Sequence, residues 1–333
     1  LPLVTVVVPT LAADDALLAC LDSLNRQLFR DFETVVVDNS TRHAVSLMAL
    51  PVAARILAPP RNLGFGAAIN LAARDSAAEF IATLNDDAVA SPEWLAQLVE
   101  TAQQHPEAGM FASQVRLAPA VLDSAGMLLA ADGSSKQRGH LRQPSEFDHP
   151  GEALFPSGSA ALYRRELFSV LGGFNPDYFL YCEDTDLGLR ALWAGWRCRY
   201  VPRAVVEHRY SHSVGRASPL KAYLVERNRL FTVVRNFPCS MLWRAPFAAL
   251  LRYGWHLHAA LTGMGAAGLY RAQGGSSLRL AWFVLKAHAA LVANLPRLLR
   301  QRVAIRRHAR IPPARFRAFT QAHRISVREV AAL

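Results

Sequence analysis

Polar and apolar positions follow two different regimes along the chain. In the first half, short apolar runs with polar ends alternate with stretches of helical spacing. "LVTVVVP" (3–9) is a β-branched run stopped by a proline, and "DDALLACLDSLNRQL" (14–28) is amphipathic at helical spacing. "FETVVVDNS" (32–40) is a second buried strand with a polar end, followed by "ARILAPP" (54–60) and the helical "GAAINLAARDS" (66–76). The strand "EFIATLNDD" (79–87) leads to the helix "SPEWLAQLVETAQQH" (91–105), with Ser91 expected as N-cap and Pro92 as first helical residue. This βαβ series predicts an α/β domain whose parallel sheet is covered on both faces by helices. Ligands of such sheets bind outside the carboxyl ends of the strands. Those ends carry Pro9-Thr10, Asp38-Asn39 and Asn85-Asp86-Asp87.

Residues 109–130 read as further strands, and 131–152 as a long polar loop rich in Gly, Pro and Ser. A loop of that length is functional or disordered, and its Lys136, Arg138 and Arg142 could meet a donor or a lipid diphosphate. Residues 156–174 give a turn, a short strand and a helix ended by Gly172-Gly173. From about residue 218 the second regime begins, with apolar helical stretches at 218–237, 241–261 and 277–302 broken by Arg, Lys or His. None holds the 18 or so uninterrupted apolar residues of a membrane span. They fit amphipathic helices lying in an interface, anchored by Trp243, Trp255 and Trp282, or the buried helices of a small helical domain.

Charge sharpens this division. Residues 1–220 hold 18 Lys+Arg against 24 Asp+Glu, whereas residues 221–333 hold 19 against 2, so an acidic body of net −6 precedes a tail of net +17. Such a tail suits an anionic partner, a membrane surface or nucleic acid. The aromatic and leucine content between its arginines favours the interface over a phosphate backbone. Cys20, Cys182, Cys198 and Cys239 form no metal-ligand spacing and suggest a reducing compartment. The strand-like run at the start is read as leaving no room for a signal peptide.

Candidate chemistry is carried by carboxylates. "FLYCEDTDLGLR" (179–190) sets Glu183, Asp184 and Asp186 at the start of a helical pattern, where acids cap free N–H groups and oppose the dipole. Capping suffices for them unless other parts of a site exist. "TLNDDA" (83–88) ends a buried strand in two adjacent acids, which are turn formers or hard oxygen ligands for Mg²⁺ or Mn²⁺. Asp38 could accept from a nucleotide base or ribose. In "RNLGFGAAIN" (61–70), two glycines allow close backbone approach to a ligand and leave N–H groups for an anion. His208 and His212 follow a strand-like run, and a histidine there is structural or a further metal ligand. No G-x-x-x-x-G-K-[ST] loop is present, which argues against an ordinary ATPase or GTPase. The lack of G-x-G-x-x-G after the first strand demotes a nicotinamide enzyme.

Taken in order, "VVVPT", "VVVDNS", "RNLGFGAAIN", "LNDDA", the block from "GSAALYRREL" to "AVVEH" and "HSVGR" resemble the family 2 glycosyltransferases of GT-A fold. Within that family the chain is most similar to bacterial rhamnosyltransferases using dTDP-L-rhamnose, or on a second reading another dTDP- or UDP-hexose. The resemblance spans about residues 3–235. It implies a catalytic domain at 1–217, with the donor part at about 1–115 and the acceptor part at about 116–217. Residues 218–333 would form a basic helical extension at the inner face of the cell membrane.

The same resemblance implies that Pro9, Thr10, Asp38, Arg61, Gly64, Asn85 and Asp86 meet the donor nucleotide. Asp87 and His208 would hold Mg²⁺ or Mn²⁺, Asp184 would be the general base, and Glu183, Tyr181 and Gly158 would meet the acceptor. The implied partners are a nucleotide-diphosphate sugar, a polyprenyl-diphosphate-linked or glycan acceptor and an anionic membrane surface, with no nucleic acid. Asn85 departs from the first aspartate of the usual D-x-D. A nucleotidyltransferase is disfavoured, because "VVVPTLAADDALL" supplies no Gly-rich basic segment after the first strand.

Overall fold

A computed structural model describes residues 1–208, 219–263 and 276–332. His212 and the stretch "HSVGR" (212–216) lie outside the described residues. The chain divides into two compact units. One comprises Leu1–Met127, Gln137–Ala191 and Trp196–His212; the other comprises Leu128–Lys136, Leu192–Gly195 and Ser213–Leu333.

The first unit begins β1 (Val4–Thr10), α1 (Asp15–Asn25), β2 (Phe32–Asp38), β3 (Ala54–Leu57), α2 (Phe65–Arg74), β4 (Phe80–Leu84), β5 (Ala88–Ala90) and α3 (Trp94–Gln104). Then come β6 (Ala108–Ala118), β7 (Val121–Ser124) and β10 (Gly151–Ala153), while β8 (Met127–Leu129) and β9 (Ser135–Gln137) fall mostly in the second unit. The first unit closes with β11 (Ala160–Arg164), α4 (Arg165–Leu171), α5 (Glu183–Trp193) and β12 (Arg197–His208). β8 and β9 pair as a small separate ribbon. The main sheet runs β10-β12-β6-β11-β4-β1-β2-β3, with β5 on β12 and β7 on β6.

β1 is parallel to β2 and β4, β2 to β3, and β12 to β6. β11 is antiparallel to both of its neighbours, β4 and β6. The sheet is therefore mostly parallel, with one reversed strand in its middle. That reversal has a geometric consequence: the carboxyl ends of β1, β2, β4 and β12 and the amino end of β11 all fall on one edge. The register fixes this, with Thr10 opposite Asp38 and Ala160 opposite Leu84.

The β-branched run of β1 is buried along its whole length, as a strand covered on both faces must be. It packs with Leu17, Leu21 and Leu24 of α1 and with Trp94, Leu95 and Leu98 of α3. Each such fully buried side chain contributes roughly 1.5–3 kcal/mol over exposure. The Trp94 indole N–H finds Ser113 Oγ at 2.9 Å. Asp14 caps α1 by accepting from Ala16 and Leu17 N–H.

Three local expectations differ from the structure. The fourth strand stops at Leu84, because Asn85 to Asp87 form the turn into β5, closed by the Ala88 N–H on the Asn85 carbonyl. Ser91 is not an N-cap: α3 starts at Trp94, and Ser91 offers its backbone carbonyl to the Trp94 N–H. The polar segment 131–152 is ordered as paired backbone. Arg138 N–H donates to Gly126, Leu141 to Leu122, and Leu122 back to Arg142. Arg138 Nε bonds the Ala125 carbonyl and its guanidinium lies 5.0 Å from the Tyr200 ring, while Arg142 pairs with Glu146.

The second unit holds α6 (Pro219–Asn236), α7 (Cys239–Leu242), α8 (Ala245–Thr262), α9 (Ser277–Arg307), α10 (Pro313–Ala322) and α11 (Val327–Ala332). At its centre Arg252 reaches Asp132 at 2.5 Å and Glu226 at 2.6 Å, Arg229 reaches Glu226 at 2.5 Å, and Tyr253 donates to Glu226. Trp193 stacks on Phe316 at 4.2 Å and gives its indole N–H to the Asn236 carbonyl.

α7 and α8 leave Trp243, Phe247, Leu250, Leu251, Leu257 and Leu261 exposed, all on one helical stripe. On α9 the exposed large apolar residues are Leu278, Trp282, Leu285, Val292, Leu295, Leu299 and Val303, most of them at helical spacing. Trp255 is half-buried beneath the Arg328 guanidinium. By length and composition, Leu278–Arg307 is also long and apolar enough to cross a membrane, with few of its residues buried. Arg279 and Lys286 interrupt the apolar run of its first half, and five arginines from Arg297 to Arg307 follow.

Candidate active site

The common edge of the sheet gathers the sequence's candidate residues into two neighbouring clusters. In the first, the turn after β4 meets the end of β12, because His208 pairs in register with Ala88. His208 Nε2 lies 3.1 Å from Asp87 Oδ1 and 3.2 Å from Asn85 Nδ2. Burial would lower the imidazole's pKa, but Asp123 and Asp87 outweigh it and push the value up to about 9. Asp86 points to the Thr10 hydroxyl; burial, with Asp87 beside it, lifts its carboxyl above the ordinary range.

The donors suit a divalent cation. Asp87 Oδ1 is buried and, among the described residues, makes no hydrogen bond, although it faces the histidine nitrogen. Asp87 Oδ1 and His208 Nε2 face each other at 3.1 Å. A proton fills the place between them or a metal does, so the two compete. Among the described residues, no group of three or more His, Cys, Asp or Glu forms a metal cage. One carboxylate and one imidazole fit Mg²⁺ or Mn²⁺, whose remaining ligands come from phosphates and water.

The second cluster is the start of α5. The Asn85 N–H bonds the Ser159 carbonyl at 2.8 Å, and the preceding Gly158 N–H donates to Asp184 Oδ2 at 3.2 Å. The reversed strand β11 thus links the two clusters through adjacent residues. Asp184 is partly exposed, whereas Glu183 is buried. Glu183 Oε2 has no hydrogen-bond partner among the described residues, and the side chain's Cγ packs toward Gly66 of α2. Burial and the mutual repulsion of adjacent carboxylates raise Glu183 to about 8; burial also raises Asp184, against the pull of the Gly158 and Thr185 N–H groups. They titrate as a pair.

Asp186 plays a different part. It is buried in an ion pair with Arg190 at 2.7 Å and accepts from the Tyr178 hydroxyl. Arg190 also clasps the Leu171 and Gly173 carbonyls, fixing α5 to the end of α4. Phe179, Tyr181 and Cys182, just before the acids, all hold positive φ, a strained backbone that the surrounding bonds must maintain.

The remaining candidates are placed as follows. Asp38 is buried and spends both oxygens on the next loop, accepting from the Ser40 and Val45 N–H groups. These bonds overcome the upward effect of burial and hold its pKa below the ordinary range. Gly64 and Gly66 permit close approach to the protein's own chain: a Cβ on Gly64 would sit 2.0 Å from the Phe179 carbonyl oxygen. Pro9 is buried in β1, Arg61 is exposed and Tyr181 half-buried.

Two residues escaped the sequence reading. Asp123 on β7 is buried with Oδ2 3.6 Å from His208 Nδ1, and His140 Nδ1 lies 3.0 Å from Asp123 Oδ1. The signal for Asp123 was a carboxylate inside the strand run "AVLDSAGM", where an unpaired charge is costly. His140, in a polar segment, gave none.

The profile of the family described as "Glycosyltransferase like family 2" matches residues 2–231. The chain belongs to that family. The glycosyltransferase is 31% identical over 266 residues to the N-acetylglucosaminyl-diphospho-decaprenol L-rhamnosyltransferase of Mycobacterium tuberculosis, covering 70% of this chain and 83% of that protein. Rhamnosyltransferase WbbL of Escherichia coli is 43% identical over 67 residues, 20% of this chain and 25% of the relative. In fold, this glycosyltransferase is similar to mannosyltransferase PcManGT from Pyrobaculum calidifontis, solved in complex with GDP-Man and Mn²⁺. The TM-score is 0.53 at 20% identity over 88% of this chain and 87% of that one. The fold is GT-A, with a C-terminal helical extension.

Proposed function

We propose that this glycosyltransferase transfers L-rhamnose from dTDP-L-rhamnose, with inversion, to a polyprenyl-diphosphate-linked or growing glycan acceptor in cell-envelope assembly. The observation that carries the reading is the partly exposed Asp184, held by the Gly158 N–H, whose neighbour Ser159 bonds the turn of Asn85, Asp86 and Asp87. The rhamnosyl donor rests on the names of the relatives.

In this mechanism Asp184 accepts the proton of the acceptor hydroxyl as its oxygen attacks the anomeric carbon. The bond from that carbon to the diphosphate oxygen breaks on the opposite face. Asp184 needs no acidic partner, and its raised affinity for protons improves it as a base near neutral pH. Asp87 and His208 would hold Mg²⁺ or Mn²⁺, which when bound neutralises charge on the departing diphosphate. Thr10, Asp38, Arg61, Gly64, Asn85 and Asp86 surround the nucleotide in this reading, with Pro9 shaping the end of β1. Tyr181, Gly158 and Glu183 border the acceptor, Glu183 from beneath.

We place the enzyme on the cytoplasmic face of the membrane, held there by the second unit. The exposed apolar stripes of α7, α8 and α9 lie in a region with 19 cationic residues and two acidic ones, Glu226 and Glu329. Glu226 is buried among arginines. Apolar area with surrounding cations suits insertion at an anionic leaflet and not a nucleic-acid backbone.

The test is a panel of nucleotide sugars with Mn²⁺ or Mg²⁺, read by thermal shift and by transfer to a polyprenyl-diphosphate-GlcNAc acceptor. dTDP-L-rhamnose should raise the melting temperature in a metal-dependent way and support transfer. A response confined to a UDP-hexose would replace rhamnose by that sugar, and silence across the panel would remove the reading.

A further inference from the structure

Behind His208, on the side away from Asp87, the sheet carries a second buried carboxylate. The register explains why. β6 lies between β12 and β7, pairing Val206 with Val115 and Val115 with Ser124. His208, two residues after Val206, and Asp123, one residue before Ser124, therefore reach the same edge. His140 enters from the ordered segment that hydrogen-bonds across residues 122–126.

The result is a row of side chains. His140 Nδ1 lies 3.0 Å from Asp123 Oδ1, Asp123 Oδ2 lies 3.6 Å from His208 Nδ1, and His208 Nε2 lies 3.1 Å from Asp87 Oδ1. Asp123 is buried to 2% exposure.

We infer that Asp123 is a positioning residue for the metal site. Across a 3.6 Å ion-pair contact, longer than a hydrogen bond, its carboxylate faces Nδ1 and turns the ring so that Nε2 is delivered toward Asp87, and His140 fixes Asp123 in turn. The inference rests on the assignment of Asp87 and His208 as metal ligands made above. Its physical basis is general: a ligating imidazole has two nitrogens, and the partner of one sets the tautomer and direction of the other. A carboxylate with no such task would be an expensive group to bury in "VLDSAG".

The experiment measures Mn²⁺ binding directly, by the loss of the free-ion electron paramagnetic resonance signal, with and without dTDP. Asp123→Ala should weaken Mn²⁺ binding by about 10–100-fold, the usual cost of removing such an outer partner. Asp123→Asn keeps an oxygen for Nδ1–H and should recover most of that loss. His140→Ala should have a smaller effect in the same direction. In steady state, Asp123→Ala should raise the apparent KM for Mn²⁺ and leave kcat at saturating Mn²⁺ near wild type, a split that general misfolding would not produce.

A folded Asp123→Ala protein with wild-type Mn²⁺ affinity overturns the inference and leaves the metal assignment standing. Equal losses in Asp123→Ala and Asp123→Asn also overturn it, since the retained oxygen then does nothing. Wild-type protein that takes up no Mn²⁺ in either condition overturns the metal assignment, and the inference falls with it.

Discussion

Each of the two units buries a pair of carboxylates, and the pairs are treated in opposite ways. In the helical unit, Asp132 and Glu226 are matched by Arg229 and Arg252, with Ser134 and Tyr253 filling remaining positions. Burial alone would raise Glu226, but the arginines drive its pKa far below the ordinary range. In the catalytic unit, Glu183 and Asp184 are adjacent, Asp184 receives the Gly158 and Thr185 N–H groups, and among the described residues no cation pairs with either. Burial raises both, and the adjacent Asp184 raises Glu183 further. Matched charges keep a fold in one arrangement, whereas an unmatched pair holds a proton loosely near neutral pH. The first serves architecture and the second serves proton transfer.

The largest effect should come from neutralising the exposed member of the unmatched pair. Asp184→Asn keeps the shape and the contact to Gly158 but cannot accept a proton. Turnover should fall by about 10²–10⁴-fold while nucleotide-sugar binding persists. Wild-type turnover in this variant would break the assignment. Next comes Glu226→Gln in the matched cluster, which leaves Arg229 and Arg252 with one carboxylate between them. Breaking a buried pair by removing one partner costs about 3–5 kcal/mol, read as a lower denaturation midpoint. A loss below about 1 kcal/mol, the scale of an exposed pair, would mean that the cluster is solvated in solution.

Much of this contrast was legible in the sequence, unevenly so. The strand and helix order through β4 follows from β-branched runs and amphipathic spacing, local signals that the sheet only confirms. The reversal of β11 was not legible, because strand direction depends on partners far away in the chain. That reversal is what sets Gly158 against Asp184. The acids of 183–186 could be seen but not ranked. Their ranking came from burial: Asp186 belongs to Arg190, Glu183 points inward, and Asp184 faces out. Likewise Arg138 and Arg142, free cations by composition, are spent on Ala125, Tyr200 and Glu146. Asp132 sits in a polar stretch that gave no hint of its two arginine partners 97 and 120 residues later.

The smallest effect, and the most discriminating, is the dependence of stability on pH. Glu183 holds its proton up to about 8 in the folded chain but only to about 4.3 when unfolded. Between those values the folded state binds more protons, so this group makes stability fall as pH rises. Glu183→Gln should remove that fall, and its advantage over wild type should grow from about pH 4.5 to about 8 and then level off. Glu226 has the reverse sign. Its folded pKa is depressed, so its stabilisation is present above about pH 4.5 and disappears as pH drops through the acid range. Glu226→Gln should therefore sit furthest below wild type near neutrality and converge with it in acid. Denaturation midpoints of both variants, measured from pH 2 to 9, should depart from the wild-type curve in opposite senses, Glu183→Gln by gaining between about pH 4.5 and 8 and Glu226→Gln by closing its gap below about pH 4.5. Parallel curves would mean that the two carboxylate pairs share one electrostatic environment, and the distinction between an architectural and a proton-transferring pair would be lost.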